Sequence, residues 1–284
     1  MTNPGEVATE VLRWHAERRR FEPFAARFGI TDVNAAYDVQ DVLIRQRREE
    51  RGAAPAGYKI GLTSPRMQAM CGVDAPIAGV VLAADVDHSG ASIPVSRFVR
   101  LGIEFEVAVR IGQDLDPASL PATPADAAAV VDAICPAIEL IEDRDADYSG
   151  GLDALSLVAD NAWNAGIVLG DFRTAFPEPG NLAAEVTLDG ETIDRGNSRD
   201  ALGHPFAPVG VAGEAPREPR PGAPARRHRH DRQHRADPLS ESRRAVPPDA
   251  RGSRERRGRP HVRAAFRNST AALKRTVVRA VVLA

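Results

Sequence analysis

Lysine is all but absent from this chain: of 37 basic residues only Lys59 and Lys274 are lysine, and the rest are arginine. Cysteine is as scarce. Cys71 and Cys135 cannot build a disulfide framework or a four-thiolate zinc site, and they suit a reducing compartment. No stretch approaches the roughly 20 apolar residues of a membrane span. Residues 1–20 lack the apolar run of a signal peptide. Glycine-rich phosphate loops and local Ser-His-Asp or Cys-His signatures are missing, and there is no internal repeat. These absences predict a cytoplasmic protein with no membrane partner.

What is present is a chain of 284 residues, 43% hydrophobic, which is enough for one or two domains with a real core. Its net charge of −2 conceals a split. Residues 1–209 carry 18 basic and 32 acidic side chains, and residues 210–284 carry 19 and 7.

The pattern predicts helices over 6–20 and from an N-cap at Thr31 to about Arg51, where Gly52 stops the second. It predicts strands over 57–63 and 80–86. In 102–111, Ile103, Phe105, Val107 and Val109 alternate with Glu104, Glu106, Ala108 and Arg110, as a strand requires. A helix is expected over 123–133, capped by Thr123. Further strands are expected over 136–141, 162–169 and 183–193, the last turning at Asp189-Gly190. Short mixed strands with few helices argue for an α+β fold.

Glu104 and Glu106, two apart on one strand, leave the same face. Carboxylates that close repel each other unless a proton or cation lies between them, and hard divalent cations take oxygen ligands. Glu139 stands in the apolar run Pro-Ala-Ile-Glu-Leu-Ile, where a charge is costly without a partner. The three carboxylates would make an oxygen site for a metal. A solvated sheet face with Arg110 as partner accounts for the spacing equally well, and only the setting of Glu139 favours metal. Lys59, between apolar and glycine neighbours, suits an acid/base or a carboxylate anchor, and equally a surface strand lysine. Asp160-Asn161 is a polar pair at a strand start or a simple turn. His88 and His204 stand alone and read as core or surface histidines.

Taken in order, Tyr-Lys-Ile-Gly-Leu-Thr-Ser (58–64), Gly-Val-Asp-Ala-Pro-Ile-Ala-Gly (72–79), Gly-Ile-Glu-Phe-Glu (102–106), Pro-Ala-Ile-Glu-Leu-Ile-Glu (136–142) and Ala-Asp-Asn-Ala (159–162) resemble the 2-keto-4-pentenoate hydratase family of the fumarylacetoacetate hydrolase superfamily. The resemblance covers about residues 6–209. It implies a mixed β barrel or roll with N-terminal helices and a homo-oligomer. It implies Mg²⁺ or Mn²⁺ held by Glu104, Glu106 and Glu139, with Lys59 catalytic and Ser64, Asp160 and Asn161 at the substrate. The implied activity is addition of water to a 2-oxo-4-enoate such as 2-oxopent-4-enoate, giving a 4-hydroxy-2-oxo acid in aromatic-compound catabolism. The same site would serve decarboxylation of a 2-oxo diacid or C–C hydrolysis of an acylpyruvate. One departure stands out. The family commonly has an acidic residue after the proline where this chain has Ile77, which questions the hydration step and leaves room for an inactive relative that partners an active enzyme.

The resemblance stops near Val209. Beyond it the chain is rich in Arg, Pro, Ala and His, with Phe266 its single aromatic, a composition that predicts a disordered basic tail. A nucleic-acid-binding arm is the conventional reading. A shifted reading frame accounts for more. Read one base later, the codons of 226–237 admit Gly-Asp-Ile-Val-Met-Thr-Gly-Ser-Ile-Val-Pro-Thr, which contains the Gly-Asp-Ile-Val-x-Thr-Gly-Ser segment the family shows near its C-terminal end. The expectation is therefore a catalytic body over 1–209 whose own C-terminal strands are missing or replaced, an out-of-frame segment over 210–284, and no nucleic-acid partner.

Overall fold

Asn3 opens the first helix by accepting the Gly5 and Glu6 amides, two of the donors a helix N-terminus leaves without intrahelical partners. The computed structural model describes residues 3–116, 118–149, 152–188, 190–214, 261–263 and 279–283. Three helices lead: α1 (Pro4–Ala16), α2 (Ala25–Phe28) and α3 (Val33–Arg51). The cap of α3 is Asp32, whose side chain takes the Ala35 amide, and not the expected Thr31. Gly52 ends α3 in the left-handed conformation, as expected. Val7, Val11 and Trp14 of α1 and Ala36, Val39 and Leu43 of α3 are buried in one core. Trp14, Phe24 and Phe28 pack there edge-on or tilted, each pair adding about 0.5–1.5 kcal/mol beyond its buried area.

The remaining elements are β1 (Pro55–Gly61), α4 (Pro65–Cys71), β2 (Ile77–Leu82), β3 (Val86–His88), β4 (Ser92–Pro94), β5 (Leu101–Ile111), α5 (Pro124–Ala128) and β6 (Val131–Glu142). They continue with α6 (Ala154–Ala159), β7 (Asn164–Leu169), β8 (Ala183–Leu188), β9 (Glu191–Asn197), α7 (Pro208–Glu214), β10 (His261–Arg263) and β11 (Arg279–Leu283). Helix α5 has the expected Thr123 cap but ends at Ala128, because Val130, Val131 and Ile134 favour the extended chain of β6. Strand β7 begins at Asn164, since Ala162 sits in a left-handed turn. Strands β8 and β9 form the expected hairpin, with Gly190 at φ 90° in its turn and Asp189 outside the described residues.

Seven strands form one mixed sheet in the order β2-β1-β11-β5-β6-β7-β3. Its first and last strands, β2 and β3, are joined by the short turn Ala83–Asp85, so the sheet must curl until its edges meet. This is the expected α+β fold, a β roll preceded by helices. Residues Glu106–Val109 are buried on both faces, so the alternation of β5 does not divide it into a dry side and a wet side. Ile103, on the apolar side of that alternation, is partly exposed.

The tail expectation needs correction in three places. Helix α7 crosses the boundary at Val209, β10 pairs with β4, and β11 lies antiparallel to β1 and parallel to β5. The tail is not uniform in composition. Its last residues include Arg-Ala-Val-Val-Leu, which suits a strand, and pairing there covers the backbone groups that β1 and β5 would otherwise leave open. The replacement of C-terminal strands was expected; complete disorder after 209 was not borne out. Residues 215–260, including the segment 226–237 expected to be out of frame, lie outside the described residues. Among the described residues, no helix is long and apolar enough to cross a membrane.

Candidate metal centre

Strand register assembles the centre. Glu104 of β5 lies directly opposite Glu139 of β6, and Glu106 stands two residues further on the same face, opposite Ala137. Glu104, Glu106 and Glu139 each offer a carboxylate oxygen, and these oxygens lie within 4.8 Å of one another. Glu106 and Glu139 are almost fully buried, and Glu104 is half-buried. Carboxylates gathered in a low-dielectric setting favour a counter-cation, and an all-oxygen donor set suits a hard divalent ion. The residues therefore fit a cation such as Mg²⁺ on the chemistry of the donors.

Lys59 of β1 reaches the same place. Its register partner on β11, Val281, is in turn opposite Ala108 of β5, so Lys59 shares a face with the glutamates. The Lys59 Nζ stands 3.4 Å from Glu139 Oε1, with both side chains almost completely buried. The surface-lysine reading is excluded by that burial. Glu139 Oε1 also accepts a 2.8 Å hydrogen bond from Asn164 Nδ2. On β2, Ile77 lies opposite Gly61 and Gly79 lies opposite Lys59, which sets the apolar Ile77 side chain beside the lysine. A Cβ added to Gly61 would stand 3.4 Å from Lys59 Nζ and 3.6 Å from Ile77 Cγ1.

The three residues expected at the substrate, Ser64, Asp160 and Asn161, each have a partner in the fold. Ser64 is the N-cap of α4, its side chain accepting the Met67 amide at 3.3 Å. Asp160 is held by two partners. His15 Nε2 donates to its Oδ1 at 2.6 Å, and Arg144 donates to its Oδ2 at 2.6 Å. Burial alone would raise the Asp160 pKa, but His15, Arg144 and Arg47 together hold it at about 2. Burial keeps His15 below its ordinary value, against the pull of Asp160, so the imidazole is the neutral donor near pH 7. Asn161 clips the turn to β2: its Oδ1 accepts the Val80 amide and its Nδ2 donates to the Val80 carbonyl. The approach is so close that a Cβ on Gly79 would stand 2.7 Å from the Asn161 carbonyl oxygen. Of the two isolated histidines, His88 is exposed on β3 and His204 pairs with Glu178.

Three consecutive residues of that turn, Asn161, Ala162 and Trp163, have φ of 53°, 48° and 58°. Asparagine tolerates this region; alanine and tryptophan do not, and each such residue costs of order 1 kcal/mol or more. The turn is secured by the contacts of Asp160 with His15 and Arg144, by the Asn161 clip and by Trp163, whose ring packs edge-on against Phe21 at 4.9 Å. His15, Arg144 and Asn164 escape a sequence reading. His15 and Arg144 are far from the motifs they support, and the one available signal for Asn164 was a polar residue opening an apolar strand.

The chain is similar to proteins of known family and structure. The family profile described as "Fumarylacetoacetate (FAA) hydrolase C-terminal" matches residues 68–210. The 2-keto-4-pentenoate hydratase 2 of Dechloromonas aromatica (strain RCB) is 32% identical over 212 residues, covering 72% of this chain and 79% of that protein. A 4-oxalocrotonate decarboxylase of a Pseudomonas species is 32% identical over 174 residues, covering 61% of this chain; the chain spans 66% of that relative's length. Among solved structures, the 4-oxalocrotonate decarboxylase from Pseudomonas putida G7, complexed with magnesium and adipate, superposes with a TM-score of 0.66 at 28% identity, covering 74% of this chain and 79% of that one.

Proposed function

Because the chain belongs to the fumarylacetoacetate hydrolase family, we propose that it is a divalent-cation-dependent lyase that adds water to a small 2-oxo-4-enoate such as 2-oxopent-4-enoate. The observation that carries this reading is the meeting of Glu104, Glu106 and Glu139 within 4.8 Å, with Lys59 Nζ 3.4 Å from Glu139. The relatives named hydratases and decarboxylases support it, as does a superposable structure that contains magnesium.

When bound, a cation such as Mg²⁺ would hold the 2-oxo acid end of the substrate and offset negative charge developing there. Glu104, Glu106 and Glu139 are the residues that would hold it. Lys59 is the protein's own proton carrier in the centre. Its Nζ sits in a dry setting beside Glu139 Oε1, where it can give a proton to the substrate or take one from it, or anchor a carboxylate. The neighbours on the same face are dry: Ile77, Ala108, Ala137 and Ile167 are all buried. The family match ends at 210, one residue from the break in composition, which supports a catalytic body over 1–209.

A second reading, decarboxylation of a 2-oxo diacid, is favoured by Ile77. Its apolar side chain beside Lys59 supplies no carboxylate to activate water. One assay separates the readings: the full chain is incubated with 2-hydroxypenta-2,4-dienoate or with 2-oxohex-3-enedioate, with Mg²⁺ or with a chelator. Mg²⁺-dependent loss of the dienoate without CO₂ release is the expected result. CO₂ release from the diacid alone would replace hydration by decarboxylation. Turnover indifferent to the chelator would overturn both.

A further inference from the structure

Asn164 is buried, and the only polar contact described for its side chain is the 2.8 Å hydrogen bond from Nδ2 to Glu139 Oε1. The same oxygen faces Lys59 Nζ at 3.4 Å. Two donors on one oxygen fix the plane of the Glu139 carboxylate. They fix it differently, because a lysine stem of four carbons can move with a proton or a substrate, whereas Asn164 starts from a backbone that cannot.

That rigidity is built into the strained turn. Asn161, Ala162 and Trp163 follow one another with positive φ, and Asn164 then leaves at φ −61° into β7. Strain of this kind persists only where the surroundings over-determine it. Here Asp160 is tied to α1 through His15 and to the segment after β6 through Arg144, and Asn161 is tied to both backbone groups of Val80. Asp160, Asn161 and Trp163 are thus held from outside the turn, and the next residue delivers its amide to Glu139.

We infer that the left-handed turn Asn161–Trp163 is a positioning device for the carboxylate centre, and that Asn164 is its working end, setting the orientation in which Glu139 meets a divalent cation. This deepens the proposed function and rests on its cation site. Partners that orient a metal-binding carboxylate typically contribute 10–100-fold to cation affinity.

The test is a calorimetric titration of the full chain with MgCl₂, comparing the unmodified protein with Asn164→Ala and Asn164→Leu, each checked for its fold by circular dichroism and melting. Asn164→Leu fills nearly the same space without a donor, so it separates orientation from a packing defect. Both variants should keep the fold and bind Mg²⁺ about 10–100-fold more weakly than the unmodified chain. Any turnover they lose should return at high Mg²⁺, with kcat restored. Unchanged Mg²⁺ affinity in folded variants would overturn the inference. So would loss of the fold in both, which would make Asn164 a core residue. Absence of Mg²⁺ binding in the unmodified chain would instead overturn the cation reading on which the inference rests.

Discussion

Lys59 and Glu139 face each other across 3.4 Å in the interior of the roll, one from β1 and the other from β6. Each is the costliest kind of residue to bury alone, and together with Glu104 and Glu106 they leave the centre with three carboxylates and one ammonium. The imbalance is what a divalent cation would correct.

Replacing Lys59 by Met keeps the stem and removes the charge. The remaining carboxylates would then be without their nearby ammonium, and breaking a buried pair by removing one partner costs about 3–5 kcal/mol. The Lys59→Met chain should melt well below the unmodified protein in chelator and recover part of the difference in millimolar Mg²⁺. Its turnover should fall by about 100-fold or more, the scale of a lost acid/base group. Thermal melts with and without Mg²⁺, followed by a rate assay, check both points. A melting temperature unaffected by either the substitution or the metal would contradict this account of the centre.

Acid should loosen the opposite end of the site, at His15 and Asp160. The folded pKa of Asp160 is depressed to about 2 from 3.8, so its contribution is fully present above pH 4 and disappears as pH falls through 2. A shift of that size corresponds to about 2 kcal/mol. His15 is also held below its ordinary 6.5, so the unfolded chain binds its proton first. Stability therefore begins to fall as pH drops through about 6.5 and falls again below 4. Melting temperatures from pH 8 to pH 2 should show both steps. His15→Gln should remove the upper step and shrink the lower one, which Arg144 and Arg47 still support.

Much of this architecture is legible in the sequence because it is local. The two-residue spacing in Gly-Ile-Glu-Phe-Glu puts Glu104 and Glu106 on one face of any strand, and Glu139 announces itself as a charge in an apolar run. The cap at Thr123, the stop at Gly52 and the hairpin turn at Gly190 need only nearest neighbours. What was not legible depends on distance. His15 is 145 residues from Asp160, and nothing near Asp160 in the sequence announces that contact or the one with Arg144. The left-handed turn is invisible for a different reason: Ala162 and Trp163 have no preference for positive φ, and only the surrounding clamps impose it.

The segment after Val209 calls for a test at the level of the gene. The family match ends at 210, and the residues beyond it carry the opposite charge balance. A shift of one base gained, or two lost, near codons 209–210 is the proposed cause. Sequencing the gene through this region should show it, and the restored chain should melt higher and turn over faster than the 284-residue chain. An uninterrupted read confirming the 284-residue frame would exclude a sequencing error. Equal activity and stability of the two chains would show that the tail is no handicap.

The central claim is that Glu104, Glu106 and Glu139 form a cation site. Its most direct measurement is a titration of the full chain with MgCl₂ beside the Glu106→Ala variant, followed by the dienoate assay on both. One bound Mg²⁺ in the unmodified chain, with binding and Mg²⁺-dependent turnover both lost in Glu106→Ala, is the predicted result. Equal Mg²⁺ binding or full turnover in the variant would contradict the assignment.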